Sequence, residues 1–303
     1  MTESPSPRSA REAARLGEPR GDGAACLPRE QLGAAAAFAQ RPPAGGQADE
    51  FGFDPDFNAS VLMPAARVLY RHWFRVKMRG LRNVPDSGAA LVVANHAGVL
   101  PIDMIMVQAG IHYEHRQRRD LRLLVADLVY DVPLLAQLAR KSGTAVATRE
   151  HAAALLARGE LVGVCPEGFK GTGKPFSERY RLRRFGRGGF AVSAIRAGVP
   201  IIPCAIVGAE EIYPMIGNAR GLARLLGLPY FPLTPLFPWF GPLGMIPLPS
   251  DWIIAFGEPV PAHEYGEAAA DDPAAVSELA GRVRDTVQRM VNELVAERGP
   301  AFS

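Results

Sequence analysis

The stretch AALVVANHAGVLPID, residues 89–103, decides the fold. Ala89 to Ala94 is a continuous run of small and β-branched apolar residues, which suits a strand buried on both faces. It leads into Asn95-His96 and then past Gly98 and Pro101, both turn formers, into an apolar stretch of helical spacing. Strand, polar turn and helix open a crossover unit, and in open α/β sheets ligands bind where such strands end. His96 can act there as a general base near neutral pH if a carboxylate holds its other nitrogen, and Asp103 is the near candidate. On one straight helix the two would be separated by about 10.5 Å of rise, too far for a hydrogen bond. The segment must therefore turn back and place Asp103 in the first helical turn. A histidine at a strand end is also an ordinary structural residue, and the pair alone leaves both readings open.

The pattern repeats downstream. Arg122 to Ala126, Leu161 to Cys165, Ile201 to Val207 and Trp252 to Phe256 read as short apolar strands. Helical stretches near residues 102–110, 132–140, 150–158 and 187–197 separate them. This alternation predicts an α/β fold with a mostly parallel central sheet, flanked by helices on both faces and preceded by an N-terminal amphipathic helix. Val276, Leu279, Val283, Val287, Met290 and Leu294 share one face of a closing C-terminal helix.

The α/β domain is expected over residues 89–303. Residues 1–50 hold 12 Ala, 6 Gly and 6 Pro with few large apolar side chains, which predicts a disordered tail. Residues 51–88 form a basic helical segment in which Phe57 to Pro85 carries six Lys or Arg and no acid. Leu62, Ala66, Leu69, Trp73 and Val76 recur at helical spacing beside a stripe of Arg67, Arg71 and Arg75. Such a helix either packs on its own domain or lies on an anionic membrane with Trp73 and Phe74 at headgroup level. Residues 225–250, LLGLPYFPLTPLFPWFGPLGMIPLPS, carry no charge and are long enough to cross a bilayer, but seven prolines forbid a spanning helix. The remaining readings are a buried irregular connection, or a loop that dips into the interface or lines an acyl-chain pocket.

A second strand end opens PEGFKGTGKPF, residues 166–176. Between residues 168 and 187 seven Lys and Arg face a single acid, Glu178, a density that suits either a phosphate-bearing ligand or a solvated loop. Gly168-x4-Gly173-Lys174 imitates a phosphate-cradling loop, but Pro175 stands where a hydroxyl should reach magnesium. No G-x-S-x-G is present, which argues against a nucleophile-elbow hydrolase. His112 and His115 lack partners at ligand spacing, and no metal site is expected.

Hydrophobic residues make up 48% and charged residues 21% of the 303, which excludes collagenous, fully disordered and disulfide-framework classes. A net charge of +3 does not call for nucleic acid. Three well-separated cysteines, Cys26, Cys165 and Cys204, fit a reducing compartment, and the first thirty residues show no apolar signal region, so a cytoplasmic location is expected.

In order, the strand ending in Asn95-His96, Gly143 to Arg149, VCPEG at 164–168, GVPIIPCAIVG at 198–208 and IIAFGEPV at 253–260 resemble the glycerolipid acyltransferase family. The likeness is greatest to its monoacylglycerol/diacylglycerol-acyltransferase-like branch and covers roughly residues 60–295. It implies transfer of a fatty acyl group from acyl-CoA or acyl carrier protein to the hydroxyl of a glycerolipid or lysophospholipid-type acceptor. The enzyme would work peripherally at the cytoplasmic face of an anionic membrane, with no cofactor, metal or nucleic acid. The family's His-x4-Asp histidine deprotonates the acceptor hydroxyl; here it corresponds to His96, with Asp103 at His-x6-Asp spacing. The family's PEG motif falls on Glu167 and Gly168, which with Lys170, Lys174 and Arg149 are the expected substrate-binding residues. Phe169-Lys170 replaces the customary Thr-Arg. The alternative, which the altered spacing would suit, is a lipid-binding or transfer module of the same fold without turnover.

Overall fold

The computed structural model describes residues 48–131 and 133–299, so the tail expected over residues 1–50 lies almost wholly outside the described residues. Among the described residues there are nine strands: β1 (Lys77–Arg79), β2 (Ala90–Ala94), β3 (Leu121–Val125), β4 (Thr144–Val146), β5 (Leu161–Val164), β6 (Ile201–Val207), β7 (Gly217–Asn218), β8 (Pro232–Leu233) and β9 (Ile253–Phe256). Seven form one sheet in the order β1-β9-β6-β2-β5-β3-β4, and β7 and β8 form a separate pair. Every neighbouring pair in the large sheet is parallel except β6 and β9. The expected mostly parallel sheet is present.

β2 is buried along its whole length because both faces are covered. Its side chains alternate: Leu91 and Val93 join one core with Leu155, Ala191, Ile195, Val283 and Val287, whereas Val92 and Ala94 join the other with Met104, Val107 and Ile111. Helices α1 (Ile102–Glu114), α3 (Arg149–Ala157), α5 (Gly189–Ala197) and α7 (Pro273–Arg298) supply those partners, while α2 (Pro133–Lys141), α4 (Phe169–Thr172) and α6 (Arg220–Leu225) are peripheral. Each fully buried Val, Leu or Ile contributes about 1.5–3 kcal/mol, so the two apolar layers hold the sheet between them.

The basic helix differs from expectation. It runs through Pro55–Phe57, π-helical Asn58–Leu62, Met63–Val68 and π-helical Leu69–Trp73, and ends there. Each π turn holds an extra residue, and Met63, Tyr70 and Phe74 are buried in place of Leu62, Leu69 and Trp73, while Ala66 is buried as expected. Phe74, which the membrane-surface alternative puts at headgroup level, is in the core, stacked on Trp252 with centroids 4.5 Å apart, as the packing alternative has it. Arg75 lies beyond the helix at φ 43° and pairs with Asp251, so the arginine stripe is shortened to Arg67 and Arg71. The chain then joins the sheet as β1, so residues 51–88 are part of the same structure as the domain that follows.

Residues 225–250 lie on the surface rather than in a buried connection. Leu225 is 80% exposed, Trp239 70%, Leu243 67% and Phe240 61%. The prolines keep the segment irregular, with β8 and a 3-10 turn at Gly241–Met245 its main regular pieces after the end of α6.

At the opposite edge, Arg122 fixes the start of the described chain to the sheet. Its fully buried guanidinium reaches Asp49 at 2.8 Å, the Gly143 carbonyl at 3.1 Å and Glu160 at 3.4 Å, and lies over the Phe53 ring. Arg122→Ala should lower stability by about 3 kcal/mol, because it takes the buried cation away from Asp49, Glu160 and the Gly143 carbonyl and from the aromatic face. Urea denaturation checks this, with Arg289→Ala, which removes only an exposed i,i+4 pair, as the control that leaves the midpoint in place.

Candidate active site

β2 and β5 are parallel neighbours, yet their chains leave toward opposite faces: β2 into α1, β5 through residues 165–188 into α5. Between their carboxyl ends lies a switch-point crevice, the usual ligand site of an open α/β sheet.

His96 stands on its β2 side. The chain bends at Gly98, Ile102 N donates to Leu100 O at 2.8 Å, and Asp103 falls in the first turn of α1. The turn-back required by the spacing is present. Asp103 is fully buried; its Oδ2 accepts from His96 Nδ1 at 2.7 Å and from Ala97 N at 2.8 Å, and its Oδ1 accepts from Met104 N at 2.8 Å. A carboxylate so engaged is an acceptor, which puts a proton on Nδ1 and leaves Nε2 as the free basic nitrogen. The His96 side chain keeps 17% exposure, enough to be reached. Burial pushes its pKa down, but the charge and hydrogen bond of Asp103, with help from Glu167 against Lys174, outweigh burial and leave it above the ordinary value.

Of the expected substrate-binding residues, Glu167 adjoins this pair. Its Oε1 accepts from His96 N at 3.1 Å and its Oε2 from Arg183 N at 2.6 Å, so it ties the two loops together. Gly168 follows at φ 54°, ψ −146°, a conformation open to glycine. Lys174, expected to face a phosphate, is instead buried: Nζ donates to Glu210 at 2.9 Å and to Arg181 O at 3.2 Å and lies 3.8 Å from Glu167. Lys170 and Arg149 are exposed, Arg149 opening α3 just beyond β4 at this same end of the sheet.

Four further residues shape the site, and the sequence gives none of them a role there. Asn95 bonds Ile206 at both N (2.7 Å) and O (3.0 Å), locking β2 to β6. Glu210 receives Lys174, and burial pushes its carboxyl up to about 6 against that lysine. Tyr230 OH donates to Val99 O at 2.9 Å, attaching the proline-rich segment to the histidine loop. Gly171 packs so closely that an added Cβ would stand 3.0 Å from His96 Cβ. Position in or beside a motif could have flagged three of them, since Asn95 precedes His96, Gly171 lies in PEGFKGTGKPF and Glu210 follows the GVPIIPCAIVG strand, whereas Tyr230 stands in sequence only as one aromatic of the uncharged segment.

The opposing effects on His96 are separable. Its imidazole should titrate above 6.5 by NMR in the intact chain, and Asp103→Asn should bring the midpoint below 6.5, because burial then acts with only Glu167 to oppose it. A midpoint unmoved by Asp103→Asn would contradict this balance.

Comparison with known proteins agrees with the geometry. A family model described as Acyltransferase matches residues 75–207, which span β1 to β6 and hold His96, Asp103 and Glu167. An uncharacterized protein of Mycobacterium tuberculosis strain H37Rv is 54% identical over 254 residues, 84% of this chain and 71% of that protein. The human protein named DGAT1/2-independent enzyme synthesizing storage lipids is 26% identical over 221 residues, 73% of this chain and 62% of its own length. The crystal structure of the 1-acyl-sn-glycerophosphate acyltransferase PlsC from Thermotoga maritima shares the fold with a TM-score of 0.52 at 20% identity, over 78% of each chain. With the motifs in order, residues 75–207 carry the acyltransferase domain of this family model, and the chain is an acyltransferase.

Proposed function

We propose that the protein transfers a fatty acyl group from acyl-CoA or acyl carrier protein to the hydroxyl of a glycerolipid or lysophospholipid-type acceptor, with His96 as general base. The observation that carries this reading is the 2.7 Å His96–Asp103 contact at the switch point, with Nε2 free. Nε2 takes the hydroxyl proton as the oxygen attacks the thioester carbonyl. The imidazolium, stabilised by Asp103, then returns a proton to the thiolate as the C–S bond breaks. The scheme uses no cofactor and no metal. Lys170 and Arg149, the exposed cations among the expected binding residues, are its contacts for phosphate on donor or acceptor, while Lys174 acts from within by holding Glu167 and Glu210. The relatives named for storage-lipid synthesis support a glycerolipid acceptor.

The same reading places the enzyme peripherally on the cytoplasmic face of an anionic membrane. No helix among the described residues is long and apolar enough to cross one. The exposed Leu225, Trp239, Phe240 and Leu243 offer an apolar face to the interface. Trp73 Nε1 donates to Pro247 O at 2.9 Å, so the end of the basic helix, with exposed Arg67 and Arg71, adjoins that face.

His96→Ala should cut acyl transfer by about 10²- to 10⁴-fold, and Asp103→Asn should also be severe. Thiol release from acyl-CoA with a panel of lipid acceptors reads this out; near-full activity in folded His96→Ala protein would overturn the mechanism, and binding without turnover would favour a lipid-transfer module. Because only neutral His96 is a base and its pKa is raised, transfer should rise with pH through a midpoint above 6.5.

Vesicle co-sedimentation tests the membrane face. Binding should increase with anionic lipid, fall with salt, and weaken when Trp239, Phe240 and Leu243 are changed together to Ser, or Arg67 and Arg71 to Glu. Binding indifferent to all of these would return both surfaces to simple solvated faces.

A further inference from the structure

Beside the His96–Asp103 pair stands a group that the proton transfer does not use. Cys165, the first residue past β5, is half-buried, with Sγ 3.8 Å from the Asn95 carbonyl oxygen. Its Sγ, a ring nitrogen of His96 and a carboxylate oxygen of Asp103 all lie within 4.8 Å of one another. Zinc bound to nitrogen at about 2.0–2.1 Å and to sulfur at about 2.3 Å keeps tetrahedral ligand atoms about 3.5 Å apart. The three groups are therefore about 1 Å of side-chain adjustment from a three-ligand site.

We propose that His96, Asp103 and Cys165 form a binding site for a thiophilic divalent cation of the zinc class, which inhibits acyl transfer by occupying the base. The proposal rests on the reading of His96 as general base. One thiolate, one imidazole and one carboxylate suit zinc, whereas magnesium and calcium require shells of oxygen. The partial exposure of His96 gives the ion an entry and leaves the fourth position to water.

The protons balance. The thiol of Cys165 releases its proton to solvent, and the ion replaces the proton between Nδ1 and Asp103. That proton passes to Nε2, which then donates and no longer accepts from an acceptor hydroxyl. The ion is thus an inhibitor whose grip depends on Cys165, a residue outside the transfer scheme.

The full chain is titrated with Zn2+ by calorimetry and with Cd2+ by thiolate-to-metal absorption, and acylated product is measured by mass spectrometry with and without Zn2+. One ion should bind per chain, at least about tenfold more weakly in Cys165→Ser and His96→Ala and unchanged in Cys26→Ser. Cys165→Ala serves as a second variant if serine keeps a ligand or unsettles the fold. Transfer by the intact chain should be blocked by Zn2+ at concentrations that spare Cys165→Ser. Absence of stoichiometric binding up to about 100 µM, binding indifferent to both cysteine-165 variants, or transfer indifferent to bound Zn2+ overturns the proposal. Because binding is read without turnover, an inactive chain that still takes up Cd2+ through Cys165 supports the site while overturning the acyl-transfer mechanism.

Discussion

Two parallel strands side by side, β2 and β5, send their chains to opposite faces of the sheet, and the gap between their carboxyl ends must be bridged by polar groups. Backbone N–H groups there sit beyond the ladder yet inside the protein, where each one left unpaired costs about 1–3 kcal/mol. Glu167 answers for both loops, one oxygen to His96 N and the other to Arg183 N. Asn95 does the same between β2 and β6. The position of His96 is thus fixed by hydrogen-bond satisfaction, with apolar packing supplying the strands from which those bonds hang.

That solution concentrates acid. Asp103, Glu167 and Glu210 are all buried, with Lys174 between the last two. Two shifts at this centre share a sign: His96 is raised by its carboxylates despite burial, and Glu210 is raised by burial despite Lys174. A folded pKa above the unfolded value contributes stability that is full below the unfolded value and fades as pH climbs through the folded one. For Glu210 that window runs from 4.5 to about 6, and for His96 it lies from 6.5 upward. The site is therefore held most firmly on the acid side of the pH at which a neutral His96 could take a proton, the tension expected where a carboxylate orients a base.

The sheet was legible because its strands are continuous apolar runs; β2, β3, β5, β6 and β9 lie within a residue of their expected places. β1 and β4 were hidden: Lys77–Arg79 looks like the continuation of a basic helix, and Thr144–Val146 is too short to show a period. In the basic helix Ala66 is buried as its period predicts, but Met63, Tyr70 and Phe74 replace their neighbours Leu62, Leu69 and Trp73, because π turns depend on tertiary packing that no 3.6-residue period encodes. At the site, the need for the segment to turn back if His96 and Asp103 are to meet followed from rise per residue alone. The burial of Lys174 did not, since a lysine in a basic loop looks the same in sequence whether it faces water or two buried carboxylates.

The proline-rich segment shows how the two halves of the proposed function constrain each other. Prolines deny it a helix, so its apolar side chains cannot be stacked against a core in regular order, and several remain on the surface. Yet it is tethered: Tyr230 to the Val99 carbonyl in the histidine loop, Tyr213 to the Met245 carbonyl at 2.6 Å, and Leu248 N to Ile212 O at 3.0 Å. Its anchors thus run to the loop that carries His96 and to the chain just beyond β6. An interface that takes up Trp239 and Phe240 would therefore pull on the same loop that, in the proposed reaction, receives the acceptor hydroxyl. In the proposed docking, membrane contact and access to His96 are coupled through those hydrogen bonds.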